Sequence, residues 1–360
     1  MLEKYMRQAL SLAARGKTTT SPNPMVGSVI VKANEVIAQG WHRRCGGDHA
    51  ETVALKKARD RAKGATLYIT LEPCFHYGKT PPCVERIVQS GIKEVIVAMK
   101  DPNPLTNGKS LTVLRRAGIF VKVGVLRKEA QKLNEVFIKY ITTGLPFVAT
   151  KSAQTLDGKI ATVTGDSKWI TSIKTRNYAR TIRDEFDAIL IGNDTVIKDD
   201  PQLNGKRKNL KKIILDSTLK ISMHAKLFQE MAVGQCIIAT TSKALASKVQ
   251  LFQRKGIQVM CCPQKDGKVN LQWLLKELGG QKISSILVEG GAHVIGGMLK
   301  AKLVDKMYIY VSPKILADQN ALSSVVGRKI KNINQASELK NLDVQKVGKD
   351  ILITGYVGSK

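Results

Sequence analysis

The chain has 360 residues, which is enough for two domains that each bury a core, and its hydrophobic fraction of 43% excludes an intrinsically disordered protein. The formal net charge is +29, but lysines are spread along the whole sequence and aromatic residues make up only 5%, so charge alone does not predict nucleic-acid binding. Because no apolar run could span a membrane, residues 1–15 lack a signal-peptide core and the six cysteines form no disulfide framework, we expect a soluble protein of the reducing cytoplasm.

The first part of the chain predicts strands that alternate with helices. An amphipathic helix over residues 1–15 leads into the loop Ser21-Pro22-Asn23-Pro24, and strands over 26–32 and 36–40 then form a hairpin that turns at Ala33-Asn34. The next predicted elements are a helix over 50–63, a strand over 65–71, a helix over 83–89, a strand over 94–99, a helix over 109–117, a strand over 119–125 and a helical stretch over 128–142. This order favours an α/β layer domain that ends near Gly144-Leu145-Pro146 and binds its ligands beyond the strand ends.

Four residues of this domain form a pattern typical of zinc-dependent deaminases. His49, Cys74 and Cys83 offer one imidazole and two thiolates, which make three ligands of a tetrahedral zinc and leave the fourth position to water. Glu51 lies two residues after the histidine, where a carboxylate that is not a ligand can shuttle protons. Both cysteines follow prolines at the starts of predicted helices, where backbone N–H groups stabilise a thiolate. The alternative, that the thiols are ordinary core residues, fits this context less well.

The second part of the chain restarts the alternation of strands and helices. Strands are predicted over 147–152, 188–191, 212–215, 236–239, 257–260, 285–288 and 306–311, and helical segments separate most of them. This pattern indicates a second α/β domain with a mostly parallel sheet. The two parts share no motif, so we expect them to carry out different chemistry.

Several segments of the second part could bind a ligand. One strand runs through Glu289-Gly290-Gly291 into a helix, which is either an anion seat for a dinucleotide pyrophosphate or, since the G-x-G-x-x-G spacing is missing, an ordinary turn. Arg176, Arg180 and Arg183 share one helix face, which either binds phosphate or is solvated. Two further candidates are residues 191–201, where polar residues follow a strand, and residues 156–171, which contain a turn and the segment after it.

Both parts together resemble the bifunctional riboflavin-biosynthesis deaminase/reductases nearly from end to end. The matching motifs of the first part are residues 20–27, Gly40-Trp41-His42, His49-Ala50-Glu51, 70–74, 76–83 and Asp101-Pro102-Asn103-Pro104. Those of the second part are Leu156-Asp157-Gly158, residues 167–171, Asp199-Asp200-Pro201, Leu215-Asp216-Ser217 and residues 288–291. The eight residues between Cys74 and Cys83 also match this family, whereas other nucleobase deaminases have two residues between their cysteines.

The resemblance implies a fold and two consecutive reactions. Residues 1–144 would form a cytidine-deaminase-like α/β/α domain that uses zinc to remove a ring amino group from 2,5-diamino-6-(5-phosphoribosylamino)pyrimidin-4(3H)-one. Residues 145–360 would form a dihydrofolate-reductase-like α/β domain that uses NADPH to reduce 5-amino-6-(5-phosphoribosylamino)uracil to the ribityl product. The expected partner is a phosphoribosylaminopyrimidine substrate, with no nucleic acid and no membrane, and the sequence leaves open whether the chain forms a homo-oligomer.

The same resemblance assigns roles to individual residues. Glu51 would be the catalytic proton shuttle of the deaminase, and Lys151 would lie near the reacting ribose in the reductase. Contacts to NADPH are implied for Ala153, Trp169, Thr195, Asp199, Ser217, Gly291, Ala292, His293, Val294, Ile295, Gly296 and Gly297. Contacts to the substrate of the reductase are implied for Ser167, Arg183, Leu203, Lys206 and Glu289.

Three positions depart from the family pattern. Phe75 stands where the family commonly has serine, and Val53 stands where asparagine or histidine is common. Lys206 replaces a commoner arginine, so it keeps the positive charge but loses the planar fork that binds a phosphate through two hydrogen bonds.

Two other classes of protein share part of the pattern. A tRNA adenosine deaminase would explain the zinc motif and the positive charge, but it leaves residues 145–360 without a role. A non-catalytic nucleic-acid-binding protein with structural zinc would need a fourth protein ligand and gives no role to Glu51. The bifunctional enzyme is the interpretation that explains both parts.

Overall fold

The structure, a computed structural model, describes residues 2–75, 82–207, 209–229, 232–327 and 329–358. The chain divides into two compact units, Met1–Gly144 and Leu145–Lys360, and each unit has its own sheet and hydrophobic core. Throughout the described ranges, no helix is both long and apolar enough to cross a membrane.

The first unit follows the predicted alternation of strands and helices. Its elements are α1 (Leu2–Ala14), β1 (Gly27–Lys32), β2 (Glu35–Trp41), α2 (Ala50–Ala58), β3 (Thr66–Leu71), α3 (Cys83–Gln89), β4 (Glu94–Met99), α4 (Lys109–Arg116), β5 (Phe120–Val123), α5 (Arg127–Leu133) and α6 (Glu135–Thr143). The strands form one sheet in the order β2-β1-β3-β4-β5. In this sheet β1 is antiparallel to β2 and β3, whereas β3, β4 and β5 are parallel.

Helices cover both faces of this sheet, which makes the unit an α/β/α sandwich. On one face Ala54 of α2, Ile87 of α3 and Leu114 of α4 join the same core cluster. On the other face Met6 of α1 and Ala130 of α5 join a second cluster. The strands can serve both clusters because successive strand residues point to opposite faces.

The second unit is built on a nine-stranded sheet. Its elements are β6 (Phe147–Gln154), β7 (Lys159–Ala161), α7 (Ile173–Arg183), β8 (Ala188–Gly192), α8 (Asn193–Asp199), β9 (Lys211–Leu215), β10 (Cys236–Thr240), α9 (Ala246–Arg254), β11 (Gln258–Cys261), β12 (Gln264–Lys265), β13 (Lys268–Val269), α10 (Leu271–Gly280), β14 (Ser285–Gly290), α11 (Ala292–Lys300), β15 (Lys306–Val311), β16 (Leu322–Ser323), β17 (Leu339–Val347) and β18 (Asp350–Val357). The strand order is β11-β10-β9-β8-β14-β6-β15-β18-β17, and two pairs, β12 with β13 and β7 with β16, stand apart from it.

The sheet of the second unit is parallel from β11 to β15, and β18 then runs antiparallel to both β15 and β17. Parallel neighbours end at the same edge of a sheet, so the carboxyl ends of β6, β8 and β14 lie together. Both β8 and β14 lead directly into helices, α8 and α11. A ligand cleft is expected at this edge of an open α/β sheet.

Most predicted elements are present. α3, β4 and β15 begin and end at the predicted residues. The hairpin turns at Ala33 and Asn34, which both adopt the left-handed conformation, with φ of 48° and 64°. A two-residue turn with two positive φ angles matches the right-handed twist of the strands that it joins.

Three predictions need correction, and some strands were not predicted. The helix predicted over 50–63 ends at Ala58, because Arg59 is left-handed and a 3₁₀ turn over Arg59–Ala62 follows. The helical stretch over 128–142 is two helices that are separated at Asn134. Cys74 begins no helix, since it and Phe75 lie in irregular backbone after β3. The sequence also did not predict β17 and β18, which extend the parallel sheet with antiparallel strands.

Candidate active sites

The three predicted zinc ligands converge in the first unit. His49 immediately precedes α2, Cys74 follows the end of β3, and Cys83 is the first residue of α3. The close approach of α2 to β2 depends on Gly40, because a Cβ atom there would overlap the backbone of Ala50. This glycine allows the start of α2 to bring His49 beside the two cysteines.

The geometry of the three side chains fits a tetrahedral zinc site. The Nδ1 atom of His49 lies 3.1 Å from the Sγ atom of Cys83 and 3.6 Å from the Sγ atom of Cys74. Zinc bonds of about 2.0 Å to nitrogen and about 2.3 Å to sulfur would separate nitrogen and sulfur ligands by about 3.5 Å at tetrahedral angles. The N–H of Cys83 also donates to the Sγ atom of Cys74, at 3.3 Å. In the part of the chain that the structure describes, no fourth histidine, cysteine or carboxylate joins this group.

The electrostatics of the site favour a thiolate at Cys74. A hydrogen bond with the Cys83 side chain lowers the pKa of Cys74 to about 4, and His49 contributes in the same direction. The hydrogen bond between the two thiol groups raises the pKa of Cys83, and the hydrogen bond to Cys74 raises the pKa of His49 to about 9. Because the thiolate is the form that binds a metal, Cys74 is in its metal-binding form at neutral pH.

Glu51 lies in the first turn of α2 with only 2% of its surface exposed. Burial raises the pKa of its carboxyl group, and its Oε2 atom has no hydrogen-bond partner among the described residues. A buried polar atom without a partner is costly, so its presence calls for a role in binding or catalysis. A carboxyl group with a raised pKa beside a set of zinc ligands can accept and return a proton, which is what a zinc deaminase requires.

His42 lies beside the predicted zinc ligand His49 and contacts Asn23, and the sequence assigned neither His42 nor Asn23 a role. The His42 ring meets the His49 ring edge-on, with ring centroids 5.5 Å apart. Its Nδ1 atom lies 3.0 Å from the carbonyl of Asp48, and its Nε2 atom lies 3.2 Å from the side-chain nitrogen of Asn23. Burial lowers the pKa of His42, which favours the neutral ring that donates to one of these groups and accepts from the other. The sequence did offer a sign of their importance, because both residues lie in motifs that match the family.

Two departures from the family pattern flank this site. Val53 lies half-buried on α2, one turn beyond His49. Phe75 follows Cys74 and is 37% exposed, and the Nζ atom of Lys109 lies 6.0 Å from the centre of its ring. The motif residues 76–81 lie outside the described residues.

The second unit contains a cavity of about 380 Å³ at the carboxyl ends of β6, β8 and β14. It lies between these strand ends, α7, the start of α11 and the segment 167–171. Twelve of the residues that the sequence assigned to NADPH or substrate line it: Lys151, Ala153, Ser167, Trp169, Arg183, Thr195, Asp199, Leu203, Glu289, Gly291, Ala292 and Ile295.

Six of the assigned residues do not line this cavity, and they are Lys206, Ser217, His293, Val294, Gly296 and Gly297. The Oγ atom of Ser217 accepts from the N–H of Val269, at 3.3 Å, beyond the end of β9. A Cβ atom at Gly296 would overlap the carbonyl of Val326, so packing alone requires this glycine. The side chain of Lys206 is exposed. The binding roles of these residues remain predictions.

Glu289 forms a buried ion pair with Arg183 inside the cavity. The Nε atom of Arg183 donates to Oε1 at 2.6 Å and its Nη2 atom donates to Oε2 at 2.9 Å, while Lys151 Nζ lies 3.9 Å from Oε2. Burial alone would raise the pKa of Glu289, but the charges of Arg183 and Lys151 outweigh it, so its pKa lies below its usual value. Arg183 also donates through Nη1 to the carbonyl of Asn204, at 3.0 Å. Its planar fork is therefore held by a carboxylate of the protein, and a substrate phosphate could use only its remaining N–H groups.

The predicted arginine face of α7 lies along the same cavity. Arg176 and Arg180 line it together with Arg183. The guanidinium of Arg176 lies 4.0 Å from the centre of the Trp169 ring and donates to the carbonyl of Thr171 at 2.7 Å. Arg180 is exposed at the mouth of the cavity. The sequence left open whether this face binds phosphate or is solvated. Because the face lines a cavity, its position agrees with ligand binding.

Two family models match the chain. The model described as "Cytidine and deoxycytidylate deaminase zinc-binding region" matches residues 1–99, and the model described as "RibD C-terminal domain" matches residues 146–353. The first range contains all four residues of the predicted zinc site, His49, Glu51, Cys74 and Cys83, and the second range contains the cavity.

Relatives in several bacteria are similar to nearly the whole chain. The riboflavin biosynthesis protein RibD of Aquifex aeolicus is 42% identical, over 98% of this chain and 97% of its own length. That of Escherichia coli is 36% identical, over 98% of both chains. The solved structure of Acinetobacter baumannii RibD has a TM-score of 0.88 at 35% identity, and that of a diaminohydroxyphosphoribosylaminopyrimidine deaminase/5-amino-6-(5-phosphoribosylamino)uracil reductase of Thermotoga maritima has a TM-score of 0.87 at 36% identity. Each of these two covers 99% of both chains.

Proposed function

This chain belongs to the RibD family, and we infer that its two units divide between them the two reactions of a bifunctional deaminase/reductase of riboflavin biosynthesis. The protein is thus both a zinc-dependent hydrolase of a C–N bond and an NADPH-dependent oxidoreductase. The observation that carries the division is that the two sites differ in chemistry and lie in different units. A tRNA adenosine deaminase is not favoured, because residues 146–353 match a reductase domain.

In the first unit, His49, Cys74 and Cys83 would hold the zinc ion. When bound, zinc supplies Lewis acidity that lowers the pKa of a water molecule to about 7. Glu51 would take a proton of that water at its Oε2 atom and return it to the ring and the departing ammonia. The burial of Glu51 supports this role, because a raised pKa lets the carboxyl hold a proton between the two transfers.

In the second unit, NADPH supplies the hydride and the protein supplies position and charge. We assign the cofactor to Ala153, Trp169, Thr195, Asp199, Ser217 and residues 291–297, and the substrate to Ser167, Arg183, Leu203, Lys206 and Glu289. Lys151 would lie next to the reacting ribose. Its Nζ atom lies 3.9 Å from the Oε2 atom of Glu289, so its positive charge faces that carboxylate. The start of α11 supports the cofactor assignment, since the N-terminus of a helix attracts a pyrophosphate.

The partners and the location of the protein form part of the same proposal. The substrate is a phosphoribosylaminopyrimidine, and neither nucleic acid nor a membrane takes part. The enzyme works in the cytoplasm, where its six cysteines stay reduced and two of them can bind zinc.

Metal analysis of cysteine variants tests the zinc site. We expect about one zinc per chain in the wild type and its loss in Cys74→Ser and Cys83→Ser, because a hydroxyl is a poor zinc ligand. Cys45→Ser is the matched control, since Cys45 is exposed and lies outside the ligand group. It should keep both the zinc and the release of ammonia. Stoichiometric zinc in the Cys74 variant would contradict the assignment.

A further inference from the structure

Tyr310 is a buried residue of the reductase cavity that the sequence did not single out. It lies on β15, where it pairs with Ala153 of β6, and its neighbour on the same sheet face, Tyr308, pairs with Lys151. Paired residues of adjacent strands project to the same face of a sheet, so Tyr310 shares a face with Lys151 and Ala153. It has no exposed surface, and it lines the cavity together with Glu289.

The hydroxyl of Tyr310 has no hydrogen-bond partner among the described residues. Buried tyrosine hydroxyls usually find a partner, and each exception calls for an explanation. The buried hydroxyls of Thr106, Thr150, Thr240 and Ser312 also have none in the described ranges, but these residues do not line the cavity. The position of Tyr310 on the cavity wall suggests that a bound molecule provides its partner.

The surroundings of Tyr310 define the chemistry of that partner. Burial, together with the nearby Tyr178 and Glu289, raises the pKa of Tyr310 well above its usual value. The group therefore stays protonated at neutral pH and can donate a hydrogen bond. Glu289 is already bonded to Arg183, and the arginines of α7 offer charges that suit a phosphate. A neutral donor beside Lys151 suits an uncharged oxygen near the reacting end of the substrate.

We propose that the Tyr310 hydroxyl donates a hydrogen bond to an uncharged oxygen of the phosphoribosylaminopyrimidine in the reductase site. Tyr310 is then a substrate-binding residue. In the protein without substrate its buried hydroxyl lacks a hydrogen-bond partner, which lowers the stability of the fold. The proposal rests on the reductase function of the second unit. It separates Tyr310 from core tyrosines, whose hydroxyl groups stabilise the fold itself.

The test compares Tyr310→Phe with Tyr308→Phe in the full-length protein, supplied with NADPH and pre-deaminated substrate. Tyr310→Phe removes only the hydroxyl, so kcat/KM for the substrate should fall by about tenfold or more, with the KM for NADPH unchanged. Its midpoint of thermal unfolding should equal or exceed that of the wild type, because a buried polar group without a partner is lost. Tyr308→Phe, on the same strand but outside the cavity lining, should keep wild-type reductase kinetics.

Three results would overturn the proposal. The first is a kcat/KM of Tyr310→Phe within about twofold of the wild-type value. The second is a lower unfolding midpoint of Tyr310→Phe together with equal losses of its deaminase and reductase activities. The third is a Tyr310→Phe variant in which only the KM for NADPH rises. The second would make Tyr310 a structural residue, and the third would place its hydroxyl against the cofactor. Failure of the proposed function looks different, because the wild type and Tyr308→Phe would then also fail to oxidise NADPH.

Discussion

Glu289 is the residue on which the charges of the reductase cavity converge. It accepts two hydrogen bonds from Arg183 and lies near Lys151, and all three side chains are largely buried. Removing one partner of a buried ion pair leaves a charge without compensation, which costs about 3–5 kcal/mol. Loss of either Glu289 or Arg183 should therefore destabilise the second unit, and both residues also belong to the substrate site that we propose.

The lowered pKa of Glu289 predicts how its contribution depends on pH. In the unfolded chain a glutamate titrates near pH 4.3, whereas in the folded protein it titrates at a lower pH. The stabilisation is therefore complete above the unfolded pKa and is lost as the pH falls through the folded pKa. The free energy of unfolding of Glu289→Gln should lie about 3–5 kcal/mol below that of the wild type at pH 7, and the gap should narrow below about pH 4.

Unfolding by urea, measured from pH 7 to pH 3, checks this prediction. Asp266→Asn is a suitable control, because Asp266 pairs with Lys300 at the surface and such pairs contribute little. Its difference from the wild type should stay small at every pH. A gap between Glu289→Gln and the wild type that does not change with pH would show that the carboxylate charge is not responsible.

Among single residues, the sequence predicts those whose side chains suit only a few functions, such as metal ligands. It misses residues whose role depends on a partner far away in the sequence. His49, Cys74 and Cys83 could be found because zinc needs those residue types. The pairing of Arg183 with Glu289 joins positions 106 residues apart, and no local pattern reports it. Tyr310 was hidden for a different reason, since a tyrosine in an apolar strand looks like an ordinary core residue.

At the scale of elements, Asn134 explains why one predicted helix is two. Its side chain accepts from the N–H of Met25 at 2.8 Å and donates to the carbonyl of Met25 at 2.9 Å. This pair fixes the backbone of the loop that carries Asn23, whose side chain contacts His42 beside the zinc ligands. Asn134 leaves the helical conformation, with φ of −104° and ψ of 24°, where α5 ends and α6 begins.

Replacing Asn134 should therefore affect the deaminase more than the reductase. Asn134→Ala removes both hydrogen bonds of a buried side chain, so we expect a loss of about 1–3 kcal/mol in stability and a several-fold rise in the KM for deamination, with zinc retained. Asn134→Asp keeps the acceptor for the N–H of Met25 but loses the donor, and it should lie between alanine and wild type. Lys132→Ala, at an exposed position of α5, is the control.

Ammonia release, zinc content and NADPH oxidation measured on the same preparations check this prediction. An Asn134→Ala variant with the wild-type KM for deamination would show that the loop does not depend on the contact. The sequence could not indicate this role, because the helical pattern continues on both sides of Asn134 and its partner lies 109 residues away.

Element ends and edge strands were the least predictable parts of the fold. The start of α3 was predicted correctly because Pro82 precedes the helix. The end of α2 depends on the left-handed backbone of Arg59, which its residue type does not indicate. β17 is exposed along nearly its whole length, so it has no buried face to create a pattern of alternation.

At the scale of the whole molecule, the residues that we assign to the two reactions lie in different units. The predicted zinc ligands and Glu51 all belong to the first unit, and every residue that lines the cavity belongs to the second. The strongly basic composition does not distinguish the two sites, which depend on a few buried residues. We therefore expect the two activities to fail independently when one site is damaged.

The most direct measurement is a steady-state assay that follows ammonia release and NADPH oxidation in wild type and Glu51→Gln. Supplied with the diamino substrate, the variant should keep its zinc but release no ammonia, because an amide cannot carry the proton. It should then oxidise no NADPH, since the second reaction lacks its substrate. Asp60→Asn, an exposed carboxylate just beyond α2, is the control and should behave as wild type.

The same variant, supplied with pre-deaminated substrate, should oxidise NADPH at the wild-type rate. That restoration would show two separate sites acting in sequence on one phosphoribosylaminopyrimidine. Two results would contradict this account of two sites. One is ammonia release by Glu51→Gln at near the wild-type rate, and the other is no NADPH oxidation by the wild-type protein with the deaminated substrate.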